Sequence, residues 1–197
     1  MQKLTVDDIV DMRAYERERD DLRRRIIDLK RLRRVALGPI VTMVFENTLT
    51  MRWQVQEMAR AERMLRDEQI AHEVETYNQL IPDANELSAT LMIELTSEPA
   101  LKEWLPRLVG IHQHIAIALP DGSRVFGGVS EEDELRLTRD DITAAVHFLK
   151  FHFTDGEVEL FATGPVHIVV DHPEYTQDVV MAAELHAELL SDLRDRS

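Results

Sequence analysis

Eight histidines and no cysteine occur among the 197 residues of this sequence, so any metal must be held by His, Asp or Glu. The lack of thiols removes disulfides, thiolate nucleophiles, and iron–sulfur or zinc sites built on Cys. His112 and His114 stand two apart in the alternating stretch Ile111 to Leu119, which as a strand would project both imidazoles from one face. Such a pair needs further ligands to close a site, and His152 and His167 are the histidines that neighbouring strands could offer. His147 falls on the apolar face of its stretch, where burial demands a hydrogen-bond partner. Asp171-His172-Pro173-Glu174 reads first as a helix start, with Asp171 as cap, Pro173 in the first turn and Glu174 three residues after the cap. Glu68 and His72 lie four apart on a helical pattern, without a second such pair. No GxSxG, Walker loop, GxGxxG or HExxH occurs, so no catalytic template applies.

A second group of polar residues lies in Phe45 to Met64, FENTLTMRWQVQEMARAERM. Before it, Ile40 to Glu46 alternates Val41, Met43 and Phe45 against Ile40, Thr42, Val44 and Glu46, as a strand requires. Asn47 and Thr48 are N-cap residues, and Met51, Val55, Met58, Ala61 and Leu65 then draw one apolar helical stripe. Trp53, Glu57, Arg60 and Met64 recur on another side, roughly 200° round the helix at about 100° per residue. Either another helix or a second protomer covers that side, with Glu57 and Arg60 as an ion pair, or Arg52, Gln56, Glu57 and Arg60 form a polar recognition patch.

The elements that must position these residues follow from periodicity and punctuation. A helical turn over Thr5 to Met12 precedes a basic helix from Tyr15 to Arg34, and Gly38-Pro39 breaks the pattern before the strand just described. Ile70, Val74, Tyr77 and Ile81 predict a further helix ending at Pro82. Leu87 to Leu95 predicts a strand, and Pro99 to Leu108 a short helix carrying Trp104. Ile111 to Leu119 turns at Pro120-Asp121-Gly122 into Ser123 to Phe126, a hairpin. Gly127 to Asp141 reads as an acidic surface loop, Ala144 to Phe153 as a central strand, Gly156 to Ala162 as a short turn or helix, Val166 to Val170 as a strand and Thr176 to Asp195 as a closing helix. The expectation is a single α+β domain with a mostly antiparallel five- or six-stranded sheet covered by the central and C-terminal helices, a helical arm over 1–34 and a body over 35–197.

Charge narrows the partners. The net charge is -14, yet residues 1–34 hold eleven Lys and Arg against eight Asp and Glu, so the remainder carries -17. An acidic body argues against nucleic acid, whose affinity rests on cationic contacts. The cluster Arg23, Arg24, Arg25, Lys30, Arg31, Arg33 and Arg34 suits the acidic body or an acidic protein instead, which predicts a protein contact and a homo-oligomer. No signal pattern and no apolar run of membrane length is visible, so a cytoplasmic location without a membrane span is expected.

With the central stretch, YNQLIP (Tyr77 to Pro82), AVHFLKF (Ala145 to Phe151) and DHPEY (Asp171 to Tyr175) in order, the chain resembles, over nearly its whole length, a bacterial family catalogued as a domain of unknown function. Members of that family are often encoded beside a rubrerythrin-like di-iron protein and an iron–sulfur oxidoreductase of the heterodisulfide-reductase or glycolate-oxidase type. The resemblance implies a role near peroxide detoxification or electron transfer. Its positions here are Phe45, Glu46, Asn47, Arg52, Gln56, Glu57, Met58, Arg60, Glu62, His147, Asp171, His172 and Pro173. The expected function is therefore an accessory or interaction protein for a redox system, with no redox cofactor of its own, docking through the central and basic helices. Glu46, Asn47, Arg52, Gln56, Glu57 and Arg60 are the expected contact residues. The alternative is a metal-dependent enzyme in which His147 and His172, with Glu46 or Glu57, hold a divalent ion such as iron or zinc.

Overall fold

A computed structural model describes residues 1–129, 138–139 and 142–195. The chain is one α+β domain, but its strands divide between two sheets rather than forming one of five or six. The first is a four-stranded antiparallel sheet in the order β1 (Arg34–Ala36), β2 (Val41–Glu46), β3 (Glu86–Ile93) and β8 (Val146–His152). The second is also four-stranded and antiparallel, in the order β10 (Tyr175–Val180), β9 (His167–His172), β4 (Ile115–Ala118) and β5 (Arg124–Phe126). A small ribbon pairs β6 (Thr138–Arg139) with β7 (Ile142–Thr143); most of the expected 127–141 loop lies outside the described residues.

Alternation explains what holds the sheets together. Met43, Phe45, Leu91, Leu149 and Phe151 point from one face of the first sheet into a core shared with Ile115, Ile117, Ile168 and Val170 of the second. Backbone bonds of 2.8 Å in both directions between Gly128 and Lys150 tie the end of β5 to the edge of β8. Helix α6 (Ala183–Arg194) closes this core with Leu185, Leu189 and Leu193, spaced four apart, and α5 (Asp155–Phe161) adds Val158 and Phe161. Helix α4 (Glu98–Arg107) brings Trp104 edge-on to Tyr175.

The opposite face of the first sheet is covered by α1 (Met12–Leu32), α2 (Thr48–Ala61) and α3 (Asp67–Asn78). A smaller apolar cluster of Leu4, Ile9, Met51, Val55, Val74 and Ile81 holds this layer to the N-terminal segment. The expected cover over the Trp53 side of α2 is α1 of the same chain, whose Lys30 ammonium sits 5.6 Å above the indole ring.

The basic helix ends at Leu32, and Arg34, expected as its last residue, opens β1 instead; two further stretches differ from the sequence expectation. Asp171 to Tyr175 does not start a helix: β9 and β10 pair with His172 opposite Tyr175, so Pro173 and Glu174 form a two-residue turn. The reason is a distant contact, because the Tyr175 hydroxyl donates to the Leu37 carbonyl at 2.6 Å and anchors β10 beside Gly38. Gly38 has φ +83°, and a Cβ there would meet that hydroxyl at 2.5 Å. The closing helix consequently begins at Ala183, and Val179 belongs to a strand. Ile111 to His114 is the second departure. Gly110, at φ 81°, starts a 3-10 turn over these residues, and the strand begins only at Ile115.

Candidate functional site

The polar residues of α2 face the chain's own N-terminal arm. Asn47 caps the helix by accepting from the Thr50 amide at 2.9 Å. Arg52 donates to the Asp8 carbonyl at 2.8 Å, and the Gln56 amide both donates to the Val10 carbonyl at 2.9 Å and accepts from its N–H at 3.0 Å. Glu57 accepts from Tyr15 at 2.5 Å and, with both oxygens, from Arg19 at 2.7 and 2.8 Å. The Arg19 guanidinium holds the Glu57 carboxyl down to about 2, with the Tyr15 hydroxyl assisting. Burial, reinforced by Glu57, pushes Tyr15 above its ordinary range. The expected Glu57–Arg60 pair is present at 3.5 Å, and Arg60 also reaches Glu16 at 3.7 Å. These five side chains therefore cap the helix and latch the arm to it.

Glu46 is placed differently. Register puts Thr42, Val44 and Glu46 of β2 on the helix-covered face with Ser88, Thr90 and Met92 of β3, and with Val146, Phe148 and Lys150 of β8. Between this face and the helices lies a cavity of about 320 Å³, within the ~300–1,000 Å³ range of small-molecule sites. Val44, Met92, Val146 and Phe148 form its floor, and Met51 of α2, Tyr77 of α3 and Leu80 its roof. Lys30, Arg34, Glu46, Gln54 and Thr90 supply the polar atoms.

Glu46 is 3% exposed. Its Oε1 accepts from the Thr90 hydroxyl at 2.7 Å, whereas Oε2 is buried without a hydrogen-bond partner, 4.0 Å from the Lys30 ammonium. A buried carboxylate oxygen left in that state costs free energy that a donor entering the cavity would recover. The other charges are committed: Arg34 bonds Glu94 at 2.6 Å, and Glu94 accepts from Thr42 at 2.6 Å. Burial raises the Tyr77 hydroxyl above its ordinary value, although a bond with Gln54 works the other way. A second hollow, lined by Lys3, Asp83, Lys150 and His152, adjoins this one across Leu80 and Phe148.

Arg33 fixes the end of β2 on which Glu46 stands. It is fully buried, donates to the carbonyls of Phe45 and Glu46 at 2.9 and 3.2 Å, and pairs with Glu188 at 3.1 Å and with Asp192. Burial raises the Asp192 carboxyl while the Arg33 charge pulls it down.

The histidines form two separate ring pairs rather than one site. His112, buried on the 3-10 turn, stacks on His147 with centroids 5.0 Å apart. His114 meets His172 edge-on at 5.1 Å. The two histidines of the HxH thus diverge, one to each sheet, instead of sharing a strand face. His147 is satisfied by Thr143 and the Ala144 carbonyl at 2.9 and 3.0 Å, and burial holds its imidazole down to about 4. His172 spans the Val109 carbonyl and the Glu174 amide at 3.0 and 3.2 Å. His147 pairs in register with Leu91 on the inner face, so Glu46 stands on the other side of the same sheet, and Glu57 is latched to the arm. The structure does not bring His147, His172 and either carboxylate to one pocket. Among the described residues no group of three or more His, Asp or Glu is placed to hold a metal ion.

In the sequence Lys30 and Arg33 stand out only by charge and Tyr77 only as part of an apolar helical stripe, so none of the three is marked there as a site residue. A usable signal lies in the second face of each strand. Thr42-Val44-Glu46, Ser88-Thr90-Met92 and Val146-Phe148-Lys150 are too apolar for a solvated face and too polar for a core, which marks a face half covered.

Comparison with known proteins carries no activity to this geometry. The family described as "Protein of unknown function (DUF3501)" matches residues 3–193. A crystal structure of a novel protein of unknown function from Burkholderia pseudomallei K96243 superimposes with a TM-score of 0.89 at 33% identity, covering 98% of this chain and 100% of that one. No curated protein matches the chain. Among the described residues no helix is long and apolar enough to cross a membrane.

Proposed function

The chain belongs to the DUF3501 family, and on that footing we propose that it is a binding and interaction protein whose ligand site is the cavity between the first sheet and helices α1 to α3. One observation carries the reading: the carboxylate of Glu46 is buried in the cavity wall with an oxygen that, among the described residues, accepts no hydrogen bond. Most buried polar atoms find partners, and an exception on a cavity wall points to a missing donor. Fragment screening by NMR on labelled protein tests it. Val44, Thr90 and Phe148 amides are expected to shift while inner-face Leu91 and Phe151 stay still. Fragments that gather elsewhere, or none that bind, would overturn the site.

In its finer form the proposal makes this protein an accessory to a redox system, without a redox cofactor of its own, in the cytoplasm. The resemblance set out above supports a rubrerythrin-like or iron–sulfur oxidoreductase partner. The docking face proposed for it is the solvent side of α1, where Ile27 and Leu32 are exposed among Arg23, Arg24, Arg25 and Arg31. Affinity purification, with the captured protein identified by mass spectrometry, is the test. Capture of such an oxidoreductase that is lost when Arg23, Arg24 and Arg25 become Glu supports the docking face; capture of only a second copy of the chain would replace the redox partner with a homo-oligomer. The metal-dependent alternative through His147 and His172 has no converging ligand set in its favour.

A further inference from the structure

Given that the outer-face cavity is a binding site, its polar atoms restrict the chemistry of what it takes. Glu46 Oε2 asks for a donor, and Lys30 Nζ, 4.0 Å away, asks for an acceptor. Thr90 has already given its hydroxyl to the other carboxylate oxygen, and Arg34 is spent on Glu94. An anionic ligand would place its charge against Glu46 in a site floored by Val44, Met92 and Phe148, where like charges are poorly screened. A cationic amine would meet Lys30 at the same range. One group answers both atoms: a hydroxyl, whose O–H donates to Glu46 and whose oxygen accepts from Lys30. The rest of such a molecule would lie on the apolar floor beneath Met51 and Leu80.

We infer that the cavity binds a neutral hydroxyl compound with an apolar body, of the phenol or alcohol class, through Glu46 as acceptor and Lys30 as donor. This rests on the cavity being the site, and the experiment separates the two claims. The full-length chain is titrated near neutral pH with p-cresol, with its methyl ether, which lacks the donor, and with p-toluate, which carries a negative charge. Binding is read by calorimetry and by amide shifts around Thr90 and Phe148. The expected result is that p-cresol binds about tenfold or more tighter than either analogue, the size of one charge-assisted hydrogen bond. Glu46→Gln is expected to remove most of that preference, and Lys30→Ala to weaken p-cresol more than the ether, with thermal melting of both variants as the control for folding. Equal binding of p-cresol and its ether, or tightest binding of p-toluate, overturns the ligand class while leaving the cavity as a site. If none of the probes shifts the cavity amides at millimolar concentration, the site itself falls.

Discussion

Glu46 and Glu86 stand on adjacent rungs of the same sheet face, both 3% exposed, and they have opposite surroundings. Glu86 is saturated: Lys150 reaches one oxygen at 2.7 Å and His152 the other at 2.9 Å. Glu46, in the cavity wall, has one hydroxyl on one oxygen and no hydrogen bond to the other. Burial alone therefore does not separate these two carboxylates; the count of partners does. A structural carboxylate should resist removal, and one kept for a ligand should be cheap or even favourable to replace.

The largest expected effect lies beneath both groups, at the residue that anchors β2. Arg33→Met removes a buried guanidinium that ties the carbonyls of Phe45 and Glu46 to Glu188 and Asp192. Leaving Asp192 without its counter-charge is expected to cost about 3–5 kcal/mol, measured by urea denaturation. A loss below about 1 kcal/mol would mean that Arg33 does not hold the strand end that positions Glu46.

A sealed polar group on the inner face extends the comparison to pH. Burial keeps the His147 imidazole neutral down to about 4, against an ordinary 6.5. As pH falls below 6.5 the unfolded chain takes up this proton first, so stability drops from there to about 4 and is complete above 6.5. The full span is up to about 3 kcal/mol for one such group. Glu57, held down to about 2 from 4.5 by Arg19, adds its own loss only below 4.5, and Asp192, raised by burial, works in the opposite sense, so the His147 share between 6.5 and 4.5 is the difference between the parent and a variant without the imidazole. Chemical denaturation across that window should slope in the parent and flatten in His147→Gln. An unchanged slope would assign the titration to another group.

How much of this contrast is legible in the sequence depends on how local its causes are. Asn47, the alternation of β2 and the Glu57–Arg60 spacing are local, and the structure carries all three. The antiparallel α+β class also follows from local patterns. The division into two sheets does not, because alternation fixes which side of a strand is buried and not which strand lies beside it. Asp171 to Tyr175 carries the local signals of a helix start, and the turn that stands there instead comes with Tyr175 meeting Leu37 well over a hundred residues away. His112 and His114 leave the strand pattern for a backbone cause: Gly110, in the left-handed region, opens a turn where the apolar pattern continues as a strand. Glu46 is legible as a candidate, but the cavity that it lines depends on Lys30 and Tyr77 arriving from two helices.

Glu86→Leu tests the saturated carboxylate. It strips Lys150 and His152 of their acceptor, although both can turn toward water, and a loss of about 1–2 kcal/mol is expected from the broken charged bonds. Thermal or urea melting at neutral pH measures it. A neutral outcome would remove the claim that partner count sorts the two groups.

The smallest expected effect decides the comparison. Glu46→Leu discards a carboxylate whose second oxygen has no partner and places an apolar side chain among Val44, Met51 and Phe148. The Thr90 hydroxyl loses its acceptor, which costs about 1 kcal/mol. Against this stands the relief of holding a charge out of water beside an ammonium 4.0 Å away, and Lys30, 29% exposed at its side chain, can follow solvent once the pair is gone. The two contributions are of similar size and opposite sign, so stability should stay within about 0.5 kcal/mol of the parent or rise. The same variant should lose binding at the cavity, which separates it from Glu86→Leu, where stability falls and the cavity stays competent. A loss of 2 kcal/mol or more, of the kind that follows from breaking a buried polar network, would make Glu46 a structural group like its neighbour and leave the cavity without its recognising atom.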